Sequence, residues 1–400
     1  MDSGGIPLIV RRDKLFDIFQ YAILFLLFLM AMDFKNKVFY LAFGAFGLIS
    51  LYDTKRLQLP KCVIPGVVLA VSMALFAPSA RNSYVAGIRP FTYPFCILIG
   101  YNLTNATKRA KMEKQVISII IVLAAGSFCH YLLNMISNWG IQSERNMYDI
   151  WLKSVRSATG QATLSCLMVG VTSAVLFCNV RLILKLCAIA VSGSIVVYNL
   201  QLAGRTLFLF IGISLLLAFS MRCFIEKSGI VKLRMICVVV AVIILVYILV
   251  SVNAFGIVDQ FSQSNFYDRF FGEYSDENLS GDGRLAKKIN YLVHMWDYPF
   301  GGGYLRKAYG NAHDVILDTY DEAGIFAMIS IVIMLCSDLN RCFRVFVGRN
   351  VDENTKIVLS TVLGIIMLQF MLEPVLLGME WLFACYCVIH GSLARLNEVV

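Results

Sequence analysis

An all-α, polytopic membrane protein is the fold class this sequence predicts, and three observations predict it. Of 400 residues, 58% are hydrophobic and only 15% charged, where a soluble domain carries roughly 25% charge. Mean hydropathy is +0.72. The apolar residues gather into long runs, mostly about 17–23 residues, which is the length that crosses a hydrocarbon core of about 30 Å. Each such run must satisfy its own backbone, and so must be helical.

Read in order, the runs predict twelve spans: 15–32, 38–52, 62–78, 86–103, 115–137, 160–178, 182–200, 204–221, 233–253, 314–336, 356–372 and 375–391. The first follows Arg11, Arg12 and Lys14 and lacks a small-residue cleavage site, so it reads as a retained span. The fourth is interrupted by Pro90 and Pro94, and the last two form a hairpin. Twenty-one of the 35 Lys and Arg residues fall on the side that holds the N-terminus. The positive-inside rule therefore predicts both ends in the cytoplasm. Trp139, Trp151, Trp296 and Trp381 then lie toward the outer face, as an aromatic belt would.

Two outer segments are longer than a turn. Over 138–159, the stretch Met147 to Val155 has an amphipathic pattern suited to the membrane surface. The segment 254–313 is too long for a bare connection and predicts short helices of its own. The chain divides into nine helices over 1–253, a long extracytoplasmic loop over 254–313 carrying part of a site, and three helices over 314–400.

The net charge of +9 is accounted for by short loops that set topology, so nucleic acid is not an expected partner. Of the twelve cysteines none lies between Cys237 and Cys336. A disulfide-stapled ectodomain would place them there, so they read as packing residues. His130, His294, His313 and His390 lack metal-ligand spacing. There is no phosphate-binding loop and no dinucleotide fingerprint, and no cofactor is expected.

The polar groups concentrate in Gly281 to Gly324. In GNAHDVILDTYDEAGIF, Asn311 reads as an N-cap with Asp314 completing a capping box. That places His313 in the first helical turn, where the helix dipole disfavours imidazolium and a neutral ring suits a general base. Asp314, Asp318 and Asp321 share one helical face, Glu322 lies at its edge, and Tyr320 falls near the histidine's face. The bland alternative is a surface histidine with a solvated acidic stripe. Arg284 follows a GDG turn; it can clamp a phosphate bidentately or simply pair with Asp282 or Glu277. Arg205 opens the eighth span and either snorkels or faces a site. The triplet Gly301–Gly303 permits unusual dihedrals and can present amides to an anion. Glu373 and Glu380 flank the last outer turn, as caps or as walls of an acceptor pocket.

These residues also carry a likeness. The chain resembles the O-antigen ligase and O-antigen polymerase superfamily of bacterial membrane glycosyltransferases. The family's histidine pattern is matched by His313, Asp314, nine residues over 315–323, then Gly324, Ile325, Phe326 and Ala327. GDGRLAKKINYLVHMWDYPFGGG resembles the arginine segment upstream, and QLAGRT resembles the arginine motif that opens a span. The likeness covers about 150–391. It implies transfer of a glycan from an undecaprenyl-pyrophosphate-linked oligosaccharide to a sugar hydroxyl at the outer face of a bacterial inner (cytoplasmic) membrane. It needs no metal or other cofactor. The residues themselves agree with it: His313 is the expected base, Arg205 and Arg284 are expected at the pyrophosphate, and Asp314, Tyr320 and Glu373 are the expected supporting residues. The partners it implies are the lipid-linked donor, a glycan or lipid acceptor, membrane lipid and a chain-length regulator. Asp314 and Ala327 depart from the usual ligase residues, which favours a polymerase over a ligase that delivers finished glycan to a lipid core. A transporter or flippase of lipid-linked sugar is the alternative of another class. It would place ionisable groups at mid-depth, and the spans carry few.

Overall fold

The computed structural model describes residues 8–52, 57–79, 83–106, 108–138, 146–202, 204–264, 266–267 and 283–398. Trp139, Lys55, Arg56, Glu277 and Asp282 lie outside the described residues. The chain is a membrane protein of almost wholly helical structure. Among the described residues, seven helices are long and apolar enough to cross a membrane. Three shorter apolar helices cover Ile18–Ala31, Val38–Leu51 and Val63–Phe76.

In chain order the helices are α1 (Leu8–Ala31), α2 (Val38–Tyr52), α3 (Val63–Phe76), α4 (Tyr84–Ile88), α5 (Thr92–Leu103), α6 (Arg109–Ser137), α7 (Ala158–Phe177), α8 (Leu182–Leu202), α9 (Arg205–Ile225), α10 (Gly229–Ser251), α11 (Ile257–Ser262), α12 (Arg284–His294), α13 (Tyr304–Tyr309), α14 (Val315–Val347), α15 (Glu353–Leu372), α16 (Val375–Gly378) and α17 (Glu380–Asn397). Strands β1 (Asn146–Tyr148) and β2 (Val155–Ser157) form the only sheet among the described residues. Pro90 breaks the fourth predicted span as expected, whereas Pro94 lies within the first turn of α5. A 3₁₀ turn over Arg89–Phe91 separates α4 from α5, because Pro90 has no amide to continue the ladder. The loop before α14 contains the short helices α11, α12 and α13. The last predicted span starts later than expected, since the turn α16 precedes α17.

Two compact units emerge, and each is discontinuous in sequence. The first comprises 1–129, 287–351 and 370–400; the second comprises 130–286 and 352–369. Within the first, α5 and α17 cross closely because glycines face each other's backbone. A Cβ on Gly100 would overlap the Val388 carbonyl, and one on Gly391 would overlap the Ile97 carbonyl. The Ser392 hydroxyl donates to the Gly100 carbonyl at 3.1 Å. Between helices in lipid, close backbone packing of this kind replaces the hydrophobic effect as the source of association. Trp381 is 1% exposed inside this packing, so it does not join an aromatic belt; Trp296, at 68% exposed, is free to do so.

Within the second unit, α7 packs on α9 through a buried Ser173–Ser214 hydroxyl pair at 2.7 Å. It meets α15 through Gly170, where a Cβ would lie a tight 3.3 Å from Val362. The Gln369 amide donates to the Thr163 hydroxyl at 2.6 Å. The stretch Met147 to Val155 is a β-hairpin rather than a surface-lying amphipathic segment. The Asp149 carboxylate accepts the Trp151 and Leu152 amides at 2.9 Å each. Lys153 turns through φ +50°, and the chain reverses. The Asn138 side chain at the end of α6 accepts from the Tyr148 amide and donates to its carbonyl, at 2.9 and 2.8 Å. All twelve cysteines are free.

Candidate active site

The site is built where the loop before α14 joins that helix, all within the first unit. Asp314, not Asn311, is the N-cap of α14. Its backbone is extended, and its carboxylate accepts the Ile316 and Leu317 amides. His313 therefore stands one position outside the helix rather than in its first turn. Its φ is +55°, a left-handed conformation that costs a β-carbon-bearing residue energy and is found disproportionately at functional sites.

The strain is held by carboxylates. Asp318 accepts the Ala312 amide at 2.9 Å and the Asp314 amide at 3.0 Å, clamping the residues on both sides of His313. Asp321 accepts the Leu305 amide at 2.8 Å, fixing the start of α13. Glu322 meets Arg306 at 3.0 Å and Ser79 at 3.4 Å. None of the three is solvated: Asp318, Asp321 and Glu322 are all buried. The acidic face is thus the internal frame of the loop rather than a solvated stripe. Carboxylates in a packed interior persist only when amides and cations satisfy them.

Gly324 explains how the loop docks. At φ +81° it breaks the regular course of α14. The glycine triplet fills the break. The Gly303 amide donates to the Asp321 carbonyl at 2.8 Å, the Gly302 amide to the Glu322 carbonyl at 3.4 Å, and the Ile325 amide returns to the Pro299 carbonyl at 3.0 Å. A Cβ on Gly301 would lie 2.6 Å from the Gly324 amide nitrogen, and one on Gly324 would lie 2.6 Å from the Phe300 Cα. Backbone approaches backbone here, so both positions require glycine. The triplet's amides are committed to this joint and to the Tyr298 carbonyl, not presented to an anion.

Tyr320 lies on the packed side of the helix. Its hydroxyl donates to the Met295 carbonyl, and its ring joins Tyr291, Leu305, Ala312 and Leu317 in one buried cluster. Tyr291 donates to the Gly310 carbonyl at 2.8 Å. Burial pushes its phenol upward, so it remains a neutral donor. These two tyrosines hold the loop in shape.

What stays open is the pair His313 and Glu373. The ring Nδ1 lies 3.8 Å from Glu373 Oε2, with 24% of the histidine side chain exposed and 4% of the glutamate. That separation is an ion-pair distance, longer than a hydrogen bond. Both His313 Nδ1 and Glu373 Oε1 are buried without a hydrogen-bond partner. Beside them Lys288 meets Asp314 at 3.0 Å and the Met371 carbonyl at 3.0 Å. Lys288 is a site residue that the sequence alone did not single out. The signal for it was its place one turn after Arg284 on one face of an amphipathic helix.

Glu380 opens α17, one short helical turn after Glu373. Arg284 is the first residue of α12 and Arg205 the first of α9; both belong to the second unit and are partly buried. A cluster elsewhere in the first unit was also missed by sequence reading. Asp338 and His390 are buried at 2.8 Å, with Arg341 at 3.1 Å from the aspartate. It escaped notice because α14 runs eleven residues beyond the predicted end of its span. Among the described residues no group of His, Cys, Asp and Glu is arranged to hold a metal.

The arrangement offers a partly exposed imidazole beside a buried carboxylate that lacks one partner, in a loop braced by the buried Asp318, Asp321 and two tyrosines. Such a ring can take a proton at Nε2 while the carboxylate orients Nδ1. No protein-family model matches this sequence, and no curated protein matches it.

Proposed function

We propose that the protein is a surface-polysaccharide glycosyltransferase of the O-antigen polymerase type. In this reading it joins undecaprenyl-pyrophosphate-linked repeat units at the outer face of a bacterial inner membrane. Twelve spans, with both ends in the cytoplasm, would place the loop over 254–313 and His313 outside. The single observation that carries the reading is the His313–Glu373 pair at the start of α14, in a chain whose polar chemistry is gathered at that helix end.

In the reaction, an acceptor hydroxyl gives its proton to His313 Nε2 as its oxygen bonds to C1 of the donor sugar. The bond from C1 to the pyrophosphate oxygen breaks, and undecaprenyl pyrophosphate leaves with the electron pair. Attack opposite the leaving group inverts C1. Glu373 orients the ring and balances the imidazolium as it forms. Arg205 and Arg284 serve the pyrophosphate, whose negative charge grows in the transition state. The protein supplies a base, cations and position. The leaving group is already activated, so no nucleotide sugar enters the scheme.

The test is an in vitro reaction of the purified protein in lipid with undecaprenyl-pyrophosphate-linked repeat units alone, beside the His313→Ala protein. A product ladder absent from the variant supports the polymerase. Product formed only after a second, lipid-core acceptor is added makes the protein a ligase with the same chemistry. Movement of the donor across the bilayer without any product refutes the enzyme reading in favour of a flippase.

A further inference from the structure

The second unit contains a cleft that the proposed reaction does not use. It lies where α7, α8, α9 and α10 end near one another, has a volume of about 430 Å³, and is lined by Phe177, Met235 and Val238 together with Lys185, Arg222 and Arg234. On the proposed topology this is the cytoplasmic end, opposite in sidedness to the loop over 254–313.

Its two kinds of wall call for one kind of ligand. The apolar wall comes from α10, the most apolar of the long helices and one with none of its span buried against the protein. In a bilayer that surface meets hydrocarbon, and an apolar gap beside it is filled by chains rather than water. The rim is cationic. Arg222 is already engaged, at 2.8 Å from Glu353 and 3.0 Å from Glu226. Lys185 and Arg234 form no ion pair among the described residues. Arg222 is thus held by Glu226 and Glu353, and no acidic side chain among the described residues lines the cleft, which leaves Lys185 and Arg234 as its two cations for a ligand. A soluble anion would satisfy the cations and leave the valine and methionine wall bare; a neutral lipid would do the reverse. Basic pockets between membrane helices at their cytoplasmic ends hold anionic head groups.

We infer that this cleft binds an anionic phospholipid, with the phosphate between Lys185 and Arg234 and an acyl chain along Met235 and Val238 of α10. None of these residues belongs to the His313 site, so the inference stands or falls independently of the proposed reaction.

The test uses the full-length protein in a neutral detergent and native mass spectrometry with added dioleoyl-phosphatidylglycerol or dioleoyl-phosphatidylcholine. The expected result is at least tenfold preference for phosphatidylglycerol. The Lys185→Gln/Arg234→Gln double variant should lose at least tenfold in that binding. The charge-conserving Lys185→Arg/Arg234→Lys variant should retain it, and so should Arg181→Gln, which removes a nearby cation outside the cleft. Equal loss in Arg181→Gln would mean general surface charge and would overturn the site. So would retention in the Gln double variant, loss in the charge-conserving variant, or displacement of the lipid by equimolar glycerol 3-phosphate, since the last would make the apolar wall irrelevant.

Discussion

Two histidine–carboxylate pairs in this molecule look alike on paper and differ in the exposure of the ring and in how fully the carboxylate is bonded. In the second unit His130 lies 3.2 Å from Asp149, with neither side chain exposed. Asp149 is saturated: Arg156 at 2.7 Å, the Asn134 amide at 3.3 Å and two backbone amides share its oxygens. In the first unit His313 and Glu373 are 3.8 Å apart, the ring is partly exposed and one carboxylate oxygen has no partner. The first pair is a joint that ties a hairpin to α6. In the second pair the ring is partly exposed and one carboxylate oxygen has no hydrogen-bond partner, as the proposed role of His313 needs. Proximity of a histidine to a carboxylate therefore says little; exposure of the ring and the bonding of the carboxylate separate the two pairs.

The sharpest way to break the contrast is to remove each partner in turn. His313→Ala should lower turnover by about 10²–10⁴-fold, the range for loss of a general base, with the melting temperature and elution profile of the protein unchanged. Asp149→Ala should do the opposite. It strands Arg156 beside a buried cavity, and losing one member of a buried pair costs about 3–5 kcal/mol; thermal unfolding in detergent would show it as a lower melting temperature. An unfolded His313→Ala protein, or an unshifted Asp149→Ala protein, would erase the distinction.

A smaller effect is expected at the loop joint. Gly324→Ala must hold φ +81° with its Cβ pressed on Phe300, so it should lose about 1–3 kcal/mol. Limited proteolysis should then cut the segment 295–312 faster while leaving the second unit's fragments unchanged. Glu373→Gln keeps the shape and removes the charge. A fall in kcat of about tenfold, with KM little altered, is the outcome expected of a residue that orients His313; a change in KM alone would make Glu373 an acceptor contact instead.

The His130–Asp149 pair should also show in the pH dependence of stability. Burial by itself pushes the Asp149 carboxyl up, but the His130 ring, the Arg156 guanidinium and the Leu152 amide outweigh it and hold the group well below the usual carboxylate range. A carboxyl whose folded pKa is depressed stabilises the fold above its unfolded value, near 3.9. That contribution fades as pH falls below about 4, because the unfolded chain then binds the proton first. Wild-type stability should therefore decline below about pH 4, and the Asp149→Asn protein should show a flatter profile in the same window. Parallel profiles for the two proteins would contradict it.

Much of the fold was legible in the chain. The long apolar runs, the proline break before α5 and the short helices within the loop over 254–313 all follow from hydropathy, from proline's missing amide and from loop length. The site was legible only as a region. His313, Asp314 and Gly324 stood out by spacing, yet the start of the helix was misplaced, so that His313 was expected inside its first turn. Asp314 takes the cap because the amides of Ala312 and Asp314 are already bound to Asp318, leaving Asn311 outside the helix start. The acidic face could not be seen as buried, since burial depends on α13 and the glycine triplet folding back over it. Local spacing also suggested an amphipathic surface segment over Met147 to Val155; a carboxylate that binds two amides and an arginine made it a hairpin.

The sequence by itself determined that this is a helical membrane protein with its polar chemistry concentrated before one helix, because bilayer thickness and backbone hydrogen bonding act on composition directly. Tertiary structure decided which polar groups are spent on holding the loop and which remain available. That division depends on the number of partners each buried oxygen and nitrogen finds, and those partners are brought together only when the chain closes on itself.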